Sequence, residues 1–187
     1  MDHQPNTHPE FPVEGRSTGF QSAIVMKTLF LVRHAKSSRD DPTLPDKERP
    51  LNDRGRRDAP KMGKRLAKRD VRPDLILSSP AVRALATAEI VAKKLDYAIK
   101  DIVVDERLYG ADPNDLLDVI RELGEKPKRV MLFGHNPEFA ELAHRLSSEI
   151  TDMPTCAMAE FRFNIKSWSN VGKQAPAKVA FYSPKES

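Results

Sequence analysis

Leu29-Phe30-Leu31-Val32-Arg33-His34 and Arg129-Val130-Met131-Leu132-Phe133-Gly134-His135-Asn136 decide the fold. Each is a short apolar run, too short for a buried helix, that ends on a histidine. A continuous run without polar alternation marks a strand covered on both faces, which is the habit of parallel sheets. Working outward, residues 27–32, 74–77, 102–104 and 128–133 read as such strands. Between them lie helical patterns over 54–69, 80–95, 113–123 and 137–147. Val82, Leu85, Ala86, Ile90 and Val91 show the helical spacing of an apolar stripe. Pro60 places the true start of the first helix near Asp58, and Pro80, Pro113 and Pro137 sit where helices open. Asp112 is a capping residue for the third helix, and Asn52 or Asp53 for the first. Residues 157–165 and 178–182 read as two further strands without a long helix between them, a pattern that allows antiparallel pairing. The prediction is an α/β fold, a three-layer α/β/α sandwich with a mostly parallel central sheet and an antiparallel edge strand.

Residues 1–26 differ from the rest. Met1 to Phe20 hold three prolines, two glycines and few aliphatic side chains, too little apolar surface to offset the entropy of ordering. This segment is expected to be a disordered or loosely packed leader, and 27–187 a single domain. The leader has neither the basic start nor the long apolar stretch of a signal peptide. The chain lacks a run of 18 apolar residues, so no membrane span is expected. Cys156 is the only cysteine, and a lone buried thiol suits the reducing cytoplasm. The net charge is +4, but bases and acids interleave, as in Asp53-Arg54-Gly55-Arg56-Arg57-Asp58, so nucleic acid is not an expected partner. A monomer or weak dimer is expected.

In an open α/β sheet, ligands bind beyond the carboxyl ends of the strands. That rule brings His34 and His135 to one rim. Arg33 arrives beside His34, and Arg83 lies in the first turn of the helix after Ser78-Ser79-Pro80. Arginine is permanently charged and grips two oxygens of a tetrahedral anion at once. An imidazole with one bare nitrogen is a competent phosphoryl acceptor. The set therefore describes a phosphoryl site, with His34 as nucleophile and His135 stabilising charge on the non-bridging oxygens. A leaving group needs a proton; Glu106, just after the fourth strand, is the first candidate, with Asp105, Asp40 and Asp41 as competitors. His3, His8, His34, His135 and His144 show no metal-ligand spacing, and His144 reads as a helix-surface residue. Neither GxxxxGK[ST] nor GxGxxG occurs. No metal and no cofactor are expected.

These motifs resemble the histidine phosphatase superfamily, also called phosphoglycerate-mutase-like. Leu31-Val32-Arg33-His34-Ala35 is similar to its Arg-His-Gly signature, with alanine in place of the usual glycine. Pro50-Leu51-Asn52-Asp53-Arg54-Gly55, Ser78-Ser79-Pro80-Ala81-Val82-Arg83-Ala84 with Thr87-Ala88, and Gly134-His135-Asn136-Pro137 resemble its other signatures in the same order. Arg-His-Ala-Lys-Ser-Ser, Gly-His-Asn-Pro and Pro154-Thr155-Cys156-Ala157 are most similar to the SixA-type phosphohistidine phosphatases. The resemblance implies His34 as the phosphorylated nucleophile, and Arg33, Arg83 and His135 as the phosphate pocket. It places Glu106, within Asp-Glu-Arg-Leu-Tyr-Gly, at the position of the acid, and leaves Ser37 as a further phosphate contact. It implies a metal-independent phosphatase acting on a phosphorylated small molecule or a phosphohistidine protein. Two rivals stand beside it: a phosphoglycerate-type mutase, for which the segment after Tyr109 is a short lid, and a module that binds phosphorylated partners without turnover.

Overall fold

The structure, a computed structural model, describes residues 25–184. The leader reading therefore concerns a segment that, up to residue 24, lies outside the described residues. Ten main elements follow in order: β1 (Met26–Arg33), α1 (Asp53–Lys68), β2 (Leu75–Ser78), α2 (Val82–Lys94), β3 (Val103–Val104), α3 (Pro113–Arg121), β4 (Arg129–Gly134), α4 (Glu138–Leu146), β5 (Met158–Asn164) and β6 (Lys178–Tyr182). The strands form one sheet in the order β3-β2-β4-β1-β5-β6. The first four of these run parallel. β5 pairs antiparallel with both β1 and β6, so the reversed strand lies one place in from the edge.

Side chains of a strand alternate between faces, and the central strands use both. Leu29 and Leu31 of β1, with Val130 and Leu132 of β4, join the core beneath α3 and α4. Phe30, Val32, Met131 and Phe133 face the opposite core, beneath α1 and α2. These eight side chains are at most 2% exposed. The sandwich thus has a helix pair on each face, as three layers require. β3, by contrast, is two exposed valines at the sheet edge.

Helix starts depart from the proline rule in three places. α1 begins at Asp53, not near Asp58, and Pro60 lies inside it. The Asn52 side chain accepts the Gly55 N–H at 2.9 Å, and this cap fixes the start well before the proline. Gly55 also packs so closely on the Lys36 carbonyl that a Cβ there would collide with it. α2 begins at Val82, two residues past Pro80. α4 begins at Glu138, with Pro137 at the capping position. Asp112 caps α3 as read, in a full capping box with Asp115. Among the described residues, no helix is long and apolar enough to cross a membrane.

Candidate active site

The parallel strands carry their polar ends to one rim. Arg33 is level with Gly134 in the β1–β4 register, and the His34 N–H donates to the Gly134 carbonyl at 3.0 Å. The two imidazoles that follow lie with ring centroids 5.1 Å apart. Ser79 continues β2 onto the same rim, its N–H bonded to the Phe133 carbonyl at 2.9 Å. The next helix then delivers Arg83. Its Nε donates to His34 Nε2 at 3.3 Å. Arg33, His34, Arg83, His135 and Ser37 all line one cleft of about 530 Å³. Residues separated by a hundred positions in sequence are brought together as the rim rule requires.

His34 is nearly buried, and its Nδ1 lies 2.7 Å from the Ala35 carbonyl. A carbonyl only accepts, so Nδ1 carries the hydrogen and Nε2 keeps a lone pair, which accepts from Arg83 Nε at the cleft. Burial pushes the imidazole pKa down to about 4; the Ala35 carbonyl opposes this, and Arg83, Arg33 and Arg49 reinforce it. His34 is therefore neutral and nucleophilic at pH 7. Burial, the neighbouring His34 and Arg83 take His135 down further, to about 3. Its Nε2 lies 2.7 Å from Ser79 Oγ, and Tyr109 meets it edge-on at 5.6 Å.

The arginines are aimed by the backbone. Arg33 Nη1 donates to the Met153 carbonyl at 2.7 Å, and its Nε is buried without a hydrogen-bond partner among the described residues. Arg83 is gripped by one residue twice, Nη1 on the Asp46 carbonyl and Nη2 on its carboxylate at 2.8 Å. Position 35 is tied to the same helix: the Ala35 N–H donates to Thr87 Oγ1 at 3.0 Å, and that hydroxyl donates to the Arg83 carbonyl at 2.6 Å. Behind β1, the Cys156 N–H donates to the His34 carbonyl while Cys156 holds φ +65, a conformation that costs a residue with a Cβ. Burial raises the Cys156 thiol to about 12, so it stays protonated and inert.

The loop from 39 to 49 contributes residues absent from the sequence reading. Arg49 lines the cleft and donates from Nη2 to Ser37 Oγ at 2.6 Å. Asp46 joins Arg49, Arg83 and the Tyr109 hydroxyl. Burial alone would raise the Asp46 carboxyl, but hydrogen bonds from Arg83, Arg49 and Tyr109 outweigh it and hold the group at about 2. It stays a carboxylate at neutral pH.

Glu106 lies in a short 3-10 turn, exposed, its carboxylate 2.7 Å from Lys47. Asp105 is paired with Arg107. Neither lines the cleft, whereas Asp40 does. His144 is exposed on α4, as read. Among the described residues, no group of three or more His, Cys, Asp or Glu is placed to hold a metal ion.

The model of the histidine phosphatase superfamily (branch 1) matches residues 29–155 of this chain. An uncharacterized protein of Mycobacterium tuberculosis is 31% identical over 165 residues, which cover 82% of this chain and 100% of the relative. Two solved SixA proteins, both assigned by name as phosphohistidine phosphatases, share the architecture. The one from Agrobacterium tumefaciens is 26% identical, with a TM-score of 0.70 over 82% of this chain and 97% of its own. The one from Nakamurella multipartitia is 20% identical, with a TM-score of 0.72 over 86% and 97%, a likeness of fold.

Proposed function

The chain belongs to the histidine phosphatase superfamily, with a SixA-like fold, and on that premise we propose that it hydrolyses phosphomonoester or phosphohistidine groups through a phosphohistidine formed on His34. One observation carries the reading. A neutral imidazole lines the cleft with its Nδ1 anchored to a carbonyl, and its Nε2 lone pair accepts from an arginine N–H at 3.3 Å, so base and cation stand together where a phosphoryl group would bind.

In the first step the Arg83 Nε–H hydrogen bond passes from His34 Nε2 to a phosphoryl oxygen, and the freed Nε2 lone pair attacks phosphorus in line. The N–P bond forms as the bond to the leaving group breaks, and its electron pair departs with that group. The imidazole gains positive charge, which the Nδ1–H···O=C bond to Ala35 stabilises. In the second step water attacks phosphorus, the N–P bond breaks, and His34 recovers its lone pair as inorganic phosphate leaves. Arg33, Arg83 and His135 hold the non-bridging oxygens through both steps, which is positioning and charge stabilisation. Ser37, held by Arg49, is a further contact. No metal is invoked, because the two arginines supply the positive charge.

The proton for an ester leaving group is expected from Glu106, which must then release Lys47; Asp40, in the cleft lining, and Asp105 are the competitors. Asp46, pinned near pKa 2, has no proton to give at neutral pH. A phosphohistidine substrate can carry this proton on its own ring: an imidazole titrates near neutrality, and with its second nitrogen protonated it departs as a stable neutral ring. That asymmetry favours a phosphohistidine-bearing protein over a small phosphoester as the better substrate.

The test is phosphate release from p-nitrophenyl phosphate and from a phosphohistidine-bearing carrier domain, with product analysis on 3-phosphoglycerate. Hydrolysis, together with acid-labile, base-stable labelling of the chain that His34→Ala abolishes, supports the reading. Absence of turnover with retained phosphate binding selects the binding module, and isomerised phosphoglycerate selects the mutase.

A further inference from the structure

The two imidazoles of the cleft are held by opposite nitrogens. His34 is fixed through Nδ1 by a backbone carbonyl, and His135 through Nε2 by the Ser79 hydroxyl. The second nitrogen of His135, Nδ1, is buried without a hydrogen-bond partner among the described residues. A buried polar atom left unsatisfied calls for an explanation. A neutral imidazole has one hydrogen, so what Nδ1 does depends on where that hydrogen sits.

Ser79 decides the question by its own satisfiability. The residue is fully buried in the turn between β2 and α2, and its N–H is tied to the Phe133 carbonyl of β4. Its Oγ already accepts the Ala81 N–H at 3.3 Å. The hydroxyl has a single hydrogen, and His135 Nε2, at 2.7 Å, is the acceptor within reach among the described residues. Were Nε2 to carry the hydrogen, Ser79 would accept twice and leave its own O–H buried and unused. Nδ1 would then be a bare lone pair, buried and unpaired, on a ring that lines the anion's cleft. The opposite arrangement satisfies each group: Ser79 O–H donates to Nε2, and Nδ1 keeps the hydrogen.

We infer that Ser79 is a positioning residue that locks His135 in its Nδ1–H tautomer, so that a buried donor is held ready for an oxygen of the phosphoryl group. The use of that donor rests on the phosphatase reading; the tautomer does not. Free imidazole side chains in water favour the hydrogen on Nε2, so the protein sets the less common form. The logic matches other catalytic imidazoles, whose second partner fixes which nitrogen works.

The experiment is nitrogen-15 NMR of the imidazoles in the full chain at neutral pH, with the His135 signals identified by their loss in His135→Gln. The expected result is a protonated Nδ1 and an unprotonated Nε2. In Ser79→Ala the Nε2–H form should gain population, and kcat on p-nitrophenyl phosphate should fall by about 10- to 100-fold. That is less than the loss of an oxyanion donor outright, because part of the population still has the competent tautomer. KM should move by less than kcat. Ser79→Thr, which keeps the hydroxyl, should restore the Nδ1–H signal. A wild-type spectrum with Nε2 protonated overturns the inference, whether or not Ser79→Ala folds. So does a Ser79→Ala protein that keeps both the wild-type spectrum and the wild-type rate. If the tautomer is as stated but no phosphatase activity exists, the reaction proposed above fails and the role of Ser79 on His135 stands.

Discussion

Thr87→Val tests whether the nucleophile is positioned by α2. The substitution keeps size and branching and removes one hydroxyl. Thr87 is fully buried, and its Oγ1 is the acceptor for the Ala35 N–H, also fully buried. Removing the oxygen leaves that N–H without a partner or water, a penalty of about 1–3 kcal/mol. The Arg83 carbonyl loses little, because it lies within a helix and retains its backbone partner. For a domain of this size, each kcal/mol lowers Tm by roughly 2–4 °C, so a drop of about 2–12 °C is expected. Activity should fall as well. Ala35 supplies the carbonyl that holds His34 Nδ1–H, so movement of its backbone turns the imidazole. About 1.4 kcal/mol lost in the transition state corresponds to a tenfold drop in kcat/KM. Urea unfolding and steady-state kinetics on p-nitrophenyl phosphate measure the two effects separately. Wild-type stability would refute the buried-donor argument. Lower stability with an unchanged rate would refute the link from α2 to His34.

Other outcomes follow from the same geometry. His34→Ala should lower turnover by several orders of magnitude while circular dichroism shows an intact fold; residual wild-type hydrolysis would end the His34 mechanism. Arg83→Ala should weaken phosphate binding and lower kcat/KM together by about 10²–10³, the scale of a lost transition-state donor; an unchanged kcat/KM would place Arg83 outside the reacting centre. Stability should fall as the solution is acidified below pH 6.5. His34 and His135 have folded pKa values of about 4 and about 3, below the 6.5 of the unfolded chain. Between these limits the unfolded state binds more protons, so stability rises with pH, is complete above 6.5 and is lost toward the folded values. Two groups give a slope of at most about 2.7 kcal/mol per pH unit. Urea midpoints at pH 7, 6 and 5 check this, and equal midpoints contradict it.

The fold was legible because its signals are local. β1 and β4 announce themselves as apolar runs, and one topological rule places their ends at a common rim. That was enough to bring His34, His135, Arg33 and Arg83 into one cleft. Pro60 misled because a cap outweighs a proline. Asn52 and the contact of Gly55 with Lys36 start α1 early, and the helix accommodates Pro60 in its interior.

What stayed hidden were the groups that act by touching another group. Ser79 and Thr87 stand inside a signature stretch that gives neither a role of its own, and Asp46 and Arg49 are common polar residues with no periodicity to mark them. Their partners lie 56, 52, 37 and 12 residues away. Asp46 is the sharpest case. In sequence it is one more acid in a charged, proline-rich loop; in the structure it binds Arg83 through both main chain and side chain. An arginine gripped at its outer edge can turn only its Nε edge to the nucleophile, so the loop fixes where the phosphoryl group is held. The rim rule tells which residues meet, but their orientation comes from a second ring of hydrogen bonds closed by tertiary structure. Rate should therefore respond to substitutions in residues that never touch phosphate, and Thr87 and Ser79 offer that test from two sides of the same cleft.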